Sequence, residues 1–324
     1  MVRVNQLIRS GIATVLMATM VSLILAGCAG GAGGGSAAST EVASKDRAEA
    51  YADSAEAAVK RGDRDKAVAE LTRAIEINPQ LTRAHMSLGD IHRREGDYES
   101  AEASYRKVAQ IEPQNFDAQY YDGLMLHVLN RLVEAVRAYL RALAIRPDDF
   151  QANLRIAGAY YQLDEMSQAL AYAKKAVELV ARNGEARFQL GAVYSAMNDH
   201  AGAVREYQQA AELMPLTTEL LLNLAESLGK LGRYSEMANA LHQAIRTEPT
   251  AGAWERLGFA HWRQEQYQEA HADFERALKI DPEYYPALNG LGVSFLRQWK
   301  DSDERDSSAR LEGVRYLRKS LMVK

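Results

Sequence analysis

The side chains able to do acid–base or metal chemistry in this 324-residue chain are seven histidines, one cysteine and a scatter of carboxylates. His85 and His92 come nearest to a ligand pair, because an i, i+7 spacing puts both on one side of a helix. Both fall on a packing stripe, which points to core positions rather than a metal site. No HExxH sequence and no Cys/His cluster is present. Asp148-Asp149 stands where a helix begins, and carboxylates there act as caps. Gly30 to Gly35 follows no strand and opens no phosphate-binding helix, so it is not a P-loop. No catalytic residues, metal or cofactor are therefore expected, and the chain is read as a non-enzyme.

The elements behind these residues are repeated ones. From Ala251 to Pro282, Trp254, Leu257, Gly258 and His261 fall at i, i+3, i+4 and i+7, one stripe of a helix. Ala270, Phe274 and Ala277 give a second helix after a short turn. The pattern recurs with a 34-residue period, with one single-residue adjustment near Thr250. Leu88-Gly89, Asp122-Gly123, Ile156-Ala157, Leu190-Gly191, Leu224-Ala225, Leu257-Gly258 and Leu291-Gly292 mark the first helices, and the small second residue allows close helix approach. Large residues answer on the second helices at Leu71, Tyr105, Tyr139, Tyr207, Leu241 and Phe274, with Ala173 the small exception. Turns are expected at Gly62, Gly96, Asn130, Asp164, Asn198 and Gly232, residues that tolerate a left-handed backbone, with Glu265 out of pattern. Asn115, Asp149, Asn183, Thr217 and Thr250 are N-caps, and prolines from Pro79 to Pro282 stop most second helices. Ala181 replaces one of these prolines, which predicts a longer helix there.

This pattern resembles the tetratricopeptide repeat family over about seven units from Ala48 to Pro282 and a modified eighth. The resemblance implies an all-α fold, a right-handed superhelical solenoid of helix-turn-helix repeats. Composition agrees with a soluble helical protein, at 47% hydrophobic and 25% charged. The formal charge of −4 gives no basic surface for nucleic acid.

The N-terminus reads separately. Arg3 and Arg9 precede an apolar run from Gly11 to Gly27, as in a secretory signal. Leu25-Ala26-Gly27-Cys28 resembles the lipobox of bacterial lipoproteins. That resemblance implies cleavage before Cys28, the only cysteine, and its diacylation and N-acylation, enough for a stable membrane anchor. Loss of residues 1–27 removes two arginines and takes the charge to −6. Ala29 follows the cysteine, which by the same resemblance favours the outer membrane in a Gram-negative host. The domains are then a signal peptide at 1–27, a flexible lipidated tether at 28–44, seven repeats at 45–283, and a modified eighth repeat with a capping helix at 284–324. In the last segment Arg297 to Ser308 is expected to lengthen the turn. The final helix, about Ala309 to Lys324, would set Val314, Leu317 and Leu321 to one side, either as a cap or as an open docking end.

Residues one place after the packing stripe lie roughly 100° away around the first helix. In the family this resembles, they line a concave wall that binds peptides. Here the candidate groove is Tyr120, Leu124, His127, Leu154, Tyr161, Phe188, Leu222, Phe259 and Trp262, an apolar and aromatic wall with charges such as Asp90 and Arg93 in the early units. The family's carboxylate clamp is not reproduced. The function expected is a lipid-anchored adaptor or scaffold of the bacterial cell envelope, binding protein or peptide segments, with no nucleic acid or small-molecule substrate. Alternatives are a pilotin-like assembly factor for a pilus or secretion complex, a purely structural envelope part, or the targeting array of an envelope enzyme.

Overall fold

A computed structural model describes residues 34–323; Cys28 and the signal-peptide reading lie outside them. Sixteen helices occur in this span and pair in sequence order, each packing on the one before and the one after. The pairs are α1(Gly34–Arg61)/α2(Arg64–Ile77), α3(Thr82–Glu95)/α4(Tyr98–Ile111), α5(Phe116–Val128)/α6(Leu132–Ile145) and α7(Phe150–Gln162)/α8(Met166–Leu179). They continue as α9(Gly184–Ala196)/α10(His200–Leu213), α11(Thr218–Lys230)/α12(Tyr234–Thr247), α13(Ala251–Arg263)/α14(Tyr267–Ile280) and α15(Tyr285–Asp301)/α16(Ser307–Val323). First helices of successive units also touch, as α5 touches α7 and α7 touches α9, whereas second helices make no comparable contact. The stack is therefore a solenoid curved toward its first helices, which form the inner wall.

Local chemistry sets the boundaries. Asn115, Asp149, Asn183, Thr217 and Thr250 each accept a hydrogen bond from the backbone N–H three residues on, at 2.8 to 3.2 Å. Gly62, Gly96, Asn130, Asp164, Asn198 and Gly232 all have positive φ, and so does Glu265 at 63°. The out-of-pattern glutamate thus adopts the turn that the repeat imposes, in a region where a side chain is strained.

Packing inside each unit is complementary. In four units where the first helix carries glycine, an aromatic ring of the second covers it. A Cβ on Gly89, Gly123, Gly191 or Gly258 would lie within 3.0 Å of Tyr105, Tyr139, Tyr207 or Phe274 respectively. Where the first helix carries alanine the partner is smaller, as in Ala55 with Leu71, Ala157 with Ala173 and Ala225 with Leu241, all buried. Ala173 is thus the matched partner of Ala157.

A second periodic contact joins one unit to the next. His85 Nε2 lies 3.1 Å from the Pro79 carbonyl oxygen, Gln119 Nε2 donates to that of Pro113 at 3.3 Å, and Asn153 Nδ2 to that of Pro147 at 3.0 Å. Arg187 Nε donates to the Ala181 carbonyl at 2.9 Å. These side chains occupy the register of Trp254 and satisfy carbonyls just past the preceding helix, which have no intrahelical partner.

Three expectations are corrected. The tether expected over 28–44 is helical from Gly34 onward, where α1 begins. The junction at Ala181 does not run on: α8 ends at Leu179 with the same 14-residue length as its counterparts, since Asn183 caps α9 and Arg187 holds the Ala181 carbonyl. In the last unit the lengthened turn is mostly helix, with α15 reaching Asp301. Helix α16 turns Ala309, Gly313 and Ser320 inward, because Gly292 and Gly313 let the two backbones approach; a Cβ on either would meet the other's carbonyl oxygen at about 3 Å. Leu317 packs over Gly292, but Val314 and Leu321 face out, Leu321 at 74% exposure.

Candidate protein-binding groove

On the inner wall a cavity of about 350 Å³ opens between consecutive units, across α5, α7, α9 and α11. Gly158 is part of its lining. The neighbouring units place Leu124 and Ala192 at this register, whereas a Cβ on Gly158 would already lie 2.9 Å from Gln189 Nε2 and 3.7 Å from His127. Around the cavity stand His127 of α5, Tyr161 and Gln162 of α7, Phe188 and Gln189 of α9, and Glu219 and Asn223 of α11.

Of the nine expected wall residues, His127, Leu154, Tyr161 and Phe188 meet at this cavity. Tyr161 is 38% exposed, while Phe188 leans on Tyr207 with ring centroids 5.7 Å apart. Leu154 is a correction: it is 1% exposed, packed with Ala176 and Ala186, and forms floor rather than contact surface. Tyr120 stacks on Phe116 at 5.9 Å, and Leu124 packs beside Tyr105 and Met125, one unit earlier. Leu222 packs on the core of α10 to α13. Phe259 and Trp262 form a separate aromatic pair, 6.0 Å apart, whose indole nitrogen is buried without a hydrogen-bond partner.

The residues that sequence reasoning missed are polar, and most sit one place beyond the expected ones. Arg155 follows Leu154, Gln162 follows Tyr161, Gln189 follows Phe188 and Asn223 follows Leu222. One step is about 100° of helix, so the open face is rotated toward that next residue. Glu185 and Glu219, 34 positions apart, complete the rim. Their shared register was the available signal. The middle of the wall is thus mixed rather than apolar.

Arg155 Nη1 lies 3.6 Å from Glu185, while its Nε is buried with no hydrogen-bond partner. Burial pushes the His127 imidazolium down, opposed by a hydrogen bond that the ring donates to Gln162 and reinforced by Arg155, so the ring is neutral at pH 7. Burial likewise raises the Tyr120 phenol. Among the described residues no group of three or more metal-ligating side chains occurs, and no helix is long and apolar enough to cross a membrane.

Repeated helical hairpins stacked with a shared inner wall define an α-solenoid. Tetratricopeptide repeat profiles match residues 52–116, 109–150, 128–186, 184–215 and 251–284. The chain belongs to the tetratricopeptide repeat family, whose arrays are protein-interaction scaffolds. Human tetratricopeptide repeat protein 13 is 31% identical over 84 residues, 26% of this chain, and the match spans a tenth of that relative's length. Among solved structures, a tetratricopeptide repeat protein from Parabacteroides merdae superposes with a TM-score of 0.54 at 20% identity, over 77% of this chain and 99% of that one. PilW, a type IV pilus biogenesis factor, gives 0.51 at 20% identity over 62% and 94%. YrrB, a tetratricopeptide repeat protein with an unusual peptide-binding site, gives 0.50 at 20% identity over 58% and 93%. At such identity these likenesses establish the fold.

Proposed function

We propose that the chain is an adaptor that holds a segment of a partner protein in the groove between α5 and α11, and that it works from a lipid anchor at Cys28 in a bacterial cell envelope. The observation that carries the groove reading is the Gly158 cavity: one exposed ring at Tyr161 and one half-buried ring at Phe188, beside Arg155, whose Nε is buried without a hydrogen-bond partner. An apolar anchor flanked by backbone or side-chain polar groups matches that lining. The peptide-binding site of YrrB, on a similar fold, supports the reading. Pull-down from the native host with wild type and Tyr161→Ala tests it. Loss of the same partners, with helical circular dichroism unchanged, is expected; equal recovery overturns the groove assignment.

The anchor rests on Leu25-Ala26-Gly27-Cys28. Labelled palmitate should enter the wild type and not Cys28→Ala. A narrower version, a pilotin-like assembly factor, draws on that same anchor and on the fold shared with PilW. Co-purification with pilus or secretion components from the host separates it from a general adaptor.

A further inference from the structure

The outer face carries a second cavity, of about 360 Å³, between α4, α5 and α6. Its floor holds two carboxylates, Glu102 at 3% exposure and Asp122 at 2%. Burying such groups costs several kcal/mol unless every lone pair is met, and here they are not.

The donors nearby are already committed. Arg106 pairs with Glu102 at 3.1 Å, and Arg131 clasps Glu134 with bonds of 2.8 and 2.6 Å. Arg141 donates to Gln119 at 2.6 Å and to Asp122 Oδ2 at 3.3 Å, and Gln119 spends its own amide on Pro113. Glu102 Oε1 has ion pairs to Arg106 and, at 3.8 Å, to Arg131, but Asp122 Oδ1 is buried and accepts no hydrogen bond. A ligand that fits must therefore bring N–H or O–H donors to this floor.

The repeat does not require these charges. Thirty-four residues on, the same outer cavity recurs between α6, α7 and α8, lined by Leu140, Leu143, Ala144 and Ala171. There Val136 stands for Glu102, Leu140 for Arg106, Ile156 for Asp122 and Ala171 for Arg137. Every other unit from the second to the eighth has Leu or Ile at the Asp122 register.

The lining is not simply anionic, because Arg106, Arg137, Arg141 and Glu134 also border the cavity. A bare cation would meet their net positive field. We propose that this outer pocket binds a primary ammonium bearing an anionic group two or three bonds away, with the ammonium on Asp122 Oδ1 and the anion toward Arg137 at the mouth. Free amino acids and the phosphoethanolamine headgroup of a lipid share that chemistry. A volume of about 360 Å³ accommodates either. Burial and Glu102 push the Asp122 carboxyl up to about 6, so a proton competes with the ammonium in acid.

The test is ligand-observed NMR on the full chain at pH 7.5 with glycine, phosphoethanolamine, betaine and acetate. Glycine or phosphoethanolamine should bind saturably, and whichever is tighter identifies the source. Betaine, which has no N–H, and acetate, which has no ammonium, should bind at least tenfold more weakly. Asp122→Leu restores the residue usual at this register; it should keep its fold, melt higher and lose binding at least tenfold. No saturable binding by either zwitterion, betaine binding as well as glycine, or full binding by Asp122→Leu would each overturn the proposal.

Discussion

The ring of Tyr139 closes over Gly123 so tightly that a Cβ there would meet its Cδ1 at 2.8 Å. The same clasp recurs at Gly191 with Tyr207, and at the same register Ala225 faces Leu241. Helix separation within a unit is therefore set by the sum of two side chains, and a change on one side can be matched on the other.

Gly191→Ala should overpack its unit and cost about 1–3 kcal/mol. Adding Tyr207→Leu, which recreates the Ala225–Leu241 pairing, should recover part of that loss. Urea unfolding of both single variants and the double gives the coupling. Strict additivity would mean that the two side chains do not share one space.

Asp122 is a stability cost with a defined pH dependence. Its folded carboxyl is raised to about 6 from 3.8, by burial first and by Glu102 second. The folded state thus holds its proton more tightly than the unfolded state does. Between pH 4 and 6 the wild type should lose stability as pH rises, relative to Asp122→Leu, with the difference levelling above pH 6 at roughly 3 kcal/mol. Urea midpoints for both proteins at pH 4, 5, 6 and 7 measure it. A difference that stays flat across that range contradicts the burial of an ionising Asp122.

The groove gives a graded series. Tyr161→Ala should weaken partner capture with little effect on melting, because the side chain is 38% exposed. Phe188→Ala should do both, since its ring packs on Tyr207. Gly158→Leu fills the cavity and displaces Gln189, so it should block capture while keeping helicity. Unimpaired capture by Gly158→Leu would place the bound segment elsewhere on the wall.

Asn153 joins two units by donating to the carbonyls of Pro147, at 3.0 Å, and Asp149, at 2.8 Å. Asn153→Ala leaves the Pro147 carbonyl without that donor and should cost about 1–3 kcal/mol. Asn153→Gln, which imitates Gln119 one unit earlier, should cost less. Thermal melts of the two variants decide between a shared linking role and a merely buried amide.

The repeat, its phase and its turns were legible in the chain because each is a local decision. Capping at Asn115 or Thr250 and left-handed turns at Gly96 or Asn130 depend on a few neighbouring atoms, and every unit repeats the same instruction. Small-residue sites such as Gly123 were legible for the same reason, although their matching to Tyr139 or Leu241 emerged only with the rings in place. The groove was half legible. A helix's own period puts Tyr161 and Phe188 on the right side, but the angle at which successive hairpins stack decides how far that side turns inward. That angle buries Leu154 and brings Arg155, Gln162, Gln189 and Asn223 to the opening. The outer pocket was illegible: Glu102 and Asp122 lie on helices of different units, and neither residue alone reveals that the other shares its cavity. Helical periodicity is written in each stretch of sequence, whereas the curvature of the stack and the spaces between units are set by all the contacts at once.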